Sequence, residues 1–163
     1  MKRRGTRRHR ERIFSMIAPP FRSPRDRVGG LYYFGRMLDK IRCHLRGELP
    51  EEYRPNFGLS VGLDGMLCGM LGVGHADLIE RMRAGGTDEE VLEWCYARGT
   101  RLNRAQMHIW NEFARKLGWN DRVAQFLAKV KAEDGTAAET ANLPTAFELM
   151  DYREGRSQRP KTP

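Results

Sequence analysis

Five residues carry most of the chemistry that the sequence offers: Asp39, Arg42, Asp64, Trp110 and Asn111. Asp39 and Arg42 stand three positions apart, the spacing that brings a carboxylate and a guanidinium together on a helix. On the 3.6-residue period Arg42 lies only about 60° from the centre of the apolar stripe of its segment, so it is expected to be half buried. A guanidinium withdrawn from water needs acceptors, and its planar fork suits a carboxylate or a phosphate. Asp39 is the nearest candidate acceptor and Asp64 a second. Trp110 supplies a wall, with Asn111 beside it. Together they describe a small polar pocket at a helix junction, with Arg42 gripping an anionic ligand. The structural alternative is a salt bridge plus an asparagine that satisfies the backbone of a loop, which gives the same pattern in sequence.

Other chemistries find no support in the spacing. HExxH, nucleophile-elbow, GxxxxGK[ST] and GxGxxG motifs are absent, so no catalytic residue, phosphate loop or cofactor is assigned. Cys43, Cys68 and Cys95 have apolar neighbours and read as small core residues. Cys43 and His44 would point about 100° apart on a helix, a poor metal pair, and His9, His75 and His108 share no ligand spacing.

The segment that must position this chemistry is LYYFGRMLDKIRCHL, residues 31–45. Leu31, Phe34, Leu38, Ile41 and Leu45 recur at helical spacing, whereas Arg36 and Lys40 point nearly opposite and are expected in water. Upstream, Ser23 to Asp26 has capping-box spacing and Gly29-Gly30 permits a change of direction. In the glycine-rich stretch 58–74, Met66, Leu67, Met70 and Leu71 have helical spacing, and Gly65 and Gly69 are expected to admit a neighbouring helix. A short helix follows over 76–84. Thr87 to Glu90 is a capping box opening a helix to Arg98, and Asn103 with Gln106 caps one reaching Leu117. The inner stripe of that helix is Met107, Trp110, Phe113, Ala114 and Leu117, and the next has Val123, Phe126, Leu127 and Val130 inward. Residues 132–142 read as a flexible linker before a last short helix after Pro144, and the chain from Arg153 is expected to be disordered. The expectation is an all-α single compact domain of five to seven short helices. A disordered basic arm covers residues 1–17, the helical domain 18–133, and a linker, short helix and disordered tail 134–163.

The chain has 163 residues, a net charge of +8 and 40% hydrophobic residues, enough for one core. Its charge is unevenly spread. Seven basic residues against Glu11 fill positions 1–12, and Arg153, Arg156, Arg159 and Lys161 against Glu154 fill the end, which leaves 13–152 nearly neutral. Residues 2–12 are a possible electrostatic arm for nucleic acid, with binding that weakens steeply in salt. Met16 opens a shorter reading in which that arm is not translated. Three cysteines argue against a disulfide framework, and no apolar run reaches the roughly 20 residues a membrane helix needs. The apolar run Ile13–Ala18, cut by Pro19-Pro20, is too short for a signal core, so a cytoplasmic location with both tails retained is expected.

The blocks SPRDRVGGLYYFGRMLDKIRCHLRGELP, LDGMLCGMLGV, TDEEVLEWC and WNEF resemble those of a bacterial family catalogued as domain of unknown function 5069. LPTAFELMDYREGR is similar to the C-terminal block of its longer members. The resemblance spans roughly residues 21–155 and implies a small, mainly helical bacterial domain with no assigned activity. It also implies that Asp39, Lys40 and Arg42, and the pair Trp110 and Asn111, are the centres of the family pattern. The sequence therefore reads as a module binding an anionic small molecule or a protein. A nucleic-acid-associated protein using the arm is one alternative, and an enzyme using Asp39 or Asp64 as acid/base is another.

Overall fold

The computed structural model describes residues 21–156, so the basic arm of residues 1–17 lies wholly outside the described residues. Among these residues seven α-helices follow one another: α1 (Phe34–Leu45), α2 (Leu63–Leu71), α3 (His75–Arg83), α4 (Asp88–Arg98), α5 (Arg104–Lys116), α6 (Ala124–Glu133) and α7 (Ala146–Arg153). A 3₁₀ turn, Glu51–Asn56, lies between α1 and α2. The chain is all-α and forms a single compact domain; Val28 and Leu31 make an isolated bridge.

That bridge shapes the start of α1. Val28 and Leu31 exchange backbone hydrogen bonds of 3.2 and 2.9 Å around Gly29 and Gly30, whose φ angles are 55° and 87°. Two consecutive positive φ values make the tight reversal that glycine permits at little cost. Leu31 is thereby held in the turn, and α1 starts at Phe34 rather than Leu31. Tyr33 caps the helix in a left-handed conformation with no side-chain cap, and its N–H bonds the Pro24 carbonyl at 2.9 Å. The stripe is as the spacing predicts: Leu31, Phe34, Leu38 and Ile41 are fully buried, and Leu45 partly so.

The opposite side of α1 is not in water. Arg36 and Lys40 are only 2% and 4% exposed, which corrects the expectation from helical phase. The back of the helix around Arg36 and Lys40 is covered because the chain wraps it. α3 packs along α1, and the segment after α7 returns to it. The Arg36 guanidinium meets the Glu154 carboxylate with both terminal nitrogens, and Tyr53 Oη donates to Glu154 Oε1 at 2.9 Å. Arg156 also donates to Glu154 and to the Phe21 carbonyl. Residues 153–156, expected to be disordered, are thus tied to α1. Residues 132–142 are also not a free linker. Thr140 is fully buried, and Lys131 Nζ donates to the carbonyls of Thr140 and Leu143 at 3.0 and 2.7 Å.

Three capping boxes start α4, α5 and α7, at Thr87/Glu90, Asn103/Gln106 and Thr145/Glu148; the first two were legible as sequence signatures. The main core draws on α1 to α5 and Phe147. A satellite of Leu127, Ala146 and Leu149 joins α6 to α7. Phe113 and Phe126, expected inward, are exposed. Each lies about 60° from the centre of its stripe, on the edge that no neighbour covers. Gly65 faces the loop before α2, not a helix: a Cβ there would lie 2.4 Å from Ser60 Cα, whereas at Gly69 it would meet nothing.

Trp110 is buried and its Nε1–H donates to the Tyr32 carbonyl at 3.0 Å, so it pins the bridge segment onto α5. Trp110→Ala is expected to cost about 3–5 kcal/mol in a denaturant melt. A loss below about 1 kcal/mol would contradict this packing.

Candidate functional site

The five candidate residues fall into three groups rather than one pocket. Asp39 and Arg42 do pair, at 3.1 Å, and Arg42 is half buried as its angle predicts, with its side chain 32% exposed. Two residues not anticipated from sequence complete the group. Arg22 binds Asp39 through its backbone N–H (3.0 Å), Nε (2.9 Å) and Nη2 (2.7 Å), and donates to Asp88 at 2.6 Å. Arg42 donates to the other Asp88 oxygen. Two guanidiniums and two carboxylates close a ring joining the incoming chain, α1 and the first residue of α4. Partial burial works against the Asp88 charge. Hydrogen bonds from Arg42 and Arg22 outweigh it and hold the carboxyl below its ordinary range. The ring is neutral and internally satisfied. An anion approaching Arg42 meets Asp39 and Asp88 already in place.

Asp64 belongs to a second group. It is the second residue of α2 and 1% exposed. Its Oδ1 accepts from Lys40 Nζ at 2.6 Å and Tyr33 Oη at 2.9 Å, and its Oδ2 accepts from Gly58 N–H at 2.9 Å. Lys40 also donates to Tyr33 Oη at 2.9 Å. Burial pulls the Lys40 pKa below its ordinary value despite the opposing attraction of Asp64. Burial pushes the Tyr33 phenol up, and Asp64 pushes it further. The partner of Lys40 is therefore an acid 24 positions on, invisible to helical phase.

Next to this carboxylate stands His75, the first residue of α3. Its Nε2 is buried without a hydrogen-bond partner and lies 3.9 Å from Asp64 Oδ2, too far to bond. The Gly58 backbone lies against the other side of the ring, where a Cβ would come 2.6 Å from Nδ1. Phe57 meets the imidazole edge-to-face at 4.8 Å. Carboxylate, ammonium, phenol and imidazole could in principle move a proton. In this conformation the ammonium and the phenol turn inward on Asp64. Lys40 is already a centre of the family pattern that the resemblance implies. Tyr33 at the start of its own helix and Gly58 and His75 from two other segments were missed, because Asp64 draws them together across distances along the chain that helical spacing does not register.

Trp110 and Asn111 form the third group and serve the turn before α1. Asn111 Oδ1 accepts the Tyr32 N–H at 2.9 Å, and its Nδ2 donates to the Gly30 carbonyl at 2.8 Å. This is the arrangement of the structural alternative, an asparagine satisfying loop backbone. Among the described residues, no group of three or more His, Cys, Asp or Glu side chains is placed to hold a metal ion. No helix among them is long and apolar enough to cross a membrane.

The orphaned imidazole has a measurable consequence. Burial lowers the His75 pKa, with Lys40 and His44 adding to the effect and Asp64 opposing it. The unfolded chain, with a histidine pKa near 6.5, then binds the proton better than the fold does. Stability is expected to fall as pH drops below about 6.5, and His75→Gln should flatten that slope in urea melts run across pH. Identical slopes in wild type and variant would contradict this environment. The lowered carboxyls of Asp88 and Glu154 act separately, below about pH 4.

No curated protein matches the chain. A family model described as Domain of unknown function (DUF5069) matches residues 18–156, which takes in the whole of the described helical fold. By that match the chain belongs to the DUF5069 family.

Proposed function

We propose that the domain is a protein-binding module, engaging its partner through the exposed side of the α5–α6 region. One observation carries the reading. Of the six large apolar side chains exposed among the described residues, four fall between positions 109 and 126: Ile109, Phe113, Trp119 and Phe126, at 43–62% exposure. Single exposed apolar residues are ordinary, but aromatic residues gathered on one stretch are the composition of interface cores. Ile109 and Phe113 stand one turn apart and form a ridge on α5.

This choice favours a protein over an anionic small molecule at Asp39 and Arg42, because the guanidiniums there already have carboxylate partners. Asp64 as an acid/base finds some support in its neighbour His75, but its near-complete burial weighs against it. Residues 2–12 remain the basis of the nucleic-acid alternative. Three free, buried cysteines suit a reducing compartment, and a cytoplasmic location is part of this proposal.

The test is site-specific photo-crosslinking in the producing cell, with the crosslinking residue at position 113 or 126 and, as control, at the exposed Glu89 of α4. A discrete protein adduct at 113 and 126 but not at 89 is expected. Equal labelling at all three, or none at 113 and 126, would contradict the reading.

A further inference from the structure

The charge around this apolar stretch indicates what kind of partner it takes. From Arg104 to Glu133, the span of α5 and α6, six residues are basic and three, Glu112, Asp121 and Glu133, are acidic, whereas residues 21–156 as a whole carry equal numbers of each sign. The remainder of the described fold is therefore net acidic, and the excess of positive charge is local to α5 and α6. Glu133 lies 3.7 Å from Lys129, and Lys131 is taken by the Thr140 and Leu143 carbonyls, but the other two acids leave cations in excess. Glu112 is shared by Arg115 and Lys116, one carboxylate against two cations. Asp121 is occupied by backbone, accepting from the N–H groups of Gly118 and Val123 at 2.8 Å each. Positive charge thus flanks Phe113, Trp119 and Phe126.

Resting on the docking role proposed above, we infer that the α5–α6 face takes an acidic amphipathic helix of another protein. Its apolar side chains pack on Ile109, Phe113 and Phe126, and its carboxylates face the basic residues around them. A ridge of side chains one turn apart suits a helix partner, which presents the matching groove. A two-fold contact with a second copy would set like charge on like charge. A nucleic acid would match the charge and could stack on the rings of Phe113, Trp119 and Phe126, but the aliphatic Ile109 one turn from Phe113 suits the apolar side of a helix better.

The experiment uses the full chain and two labelled helical peptides of about 20 residues, with leucines on one face and either glutamate or lysine elsewhere. Binding is followed by fluorescence anisotropy. Phe113→Ser/Phe126→Ser retains the basic arm and, since both rings are exposed, should keep the wild-type melting curve. The glutamate peptide is expected to bind at least about tenfold more tightly than the lysine peptide, to lose about tenfold in the double variant, and to weaken as salt rises. Equal binding of both peptides, lost in the variant, would keep the docking role and overturn the acidic partner. Binding of the glutamate peptide unchanged in the variant would place it on the arm and overturn both. Binding of neither peptide would also overturn both. Sedimentation showing a wild-type dimer that the variant abolishes would make the occupant a second copy. Loss of duplex DNA binding in the variant would make it a nucleic acid. Either of these last results overturns the acidic helix.

Discussion

Two cations on the back of α1 set the terms for the rest of the fold. Arg36 and Lys40 lie on the side of the helix away from its apolar stripe, and both are buried. A buried guanidinium or ammonium left without a partner is strongly destabilising, so each requires a carboxylate brought from elsewhere. Glu154 arrives from beyond α7 for Arg36, and Asp64 from the first turn of α2 for Lys40. Burial opposes the Arg36 charge, and the Glu154 hydrogen bonds and charge restore it. Through these two pairs the helix is held by the C-terminal end of the described chain and by the start of α2. The neutral ring of Arg22, Asp39, Arg42 and Asp88 extends the same arrangement to α4.

What could be read from sequence was what depends on near neighbours. Helix spacing located the stripe of α1, and the capping residues Thr87 and Asn103 marked two helix starts, because a cap and its partner are three positions apart. The Asp39–Arg42 pair was legible for the same reason. Arg36 and Lys40 were misplaced because helical phase registers the side turned from the apolar stripe, not what later covers it. Their carboxylates lie 118 and 24 positions away. Phe113 and Phe126 failed differently. Being apolar and about 60° from the stripe, each would be core or surface depending on whether a neighbour reaches that edge. Asn111 is legible only as the neighbour of Trp110, and the structure identifies Gly30 and Tyr32 as the backbone it serves.

The same division bears on function. Every strong charge on α1 is used within the molecule, by Glu154, Asp64, Asp39 and Asp88. The residues that looked most like a ligand site from sequence are therefore the ones most fully engaged in holding the fold. Four of the six exposed large apolar side chains among the described residues lie instead on α5, α6 and the turn between them. On the reading proposed above, these outward side chains, not the engaged charges of α1, are where a partner would dock. His75 stands apart from both groups, as a titratable ring beside a buried carboxylate that it does not bond.

The most direct test of the dependence on α1 is a double-mutant cycle at its best-buried pair, with Arg36→Met, Glu154→Gln and the combination compared in denaturant melts. If the buried cation governs the wrapping of the chain, Glu154→Gln alone should cost about 3–5 kcal/mol and the combination much less than the two single losses together. Single losses below about 1 kcal/mol that simply add would contradict the account, since Arg36 would then not depend on Glu154.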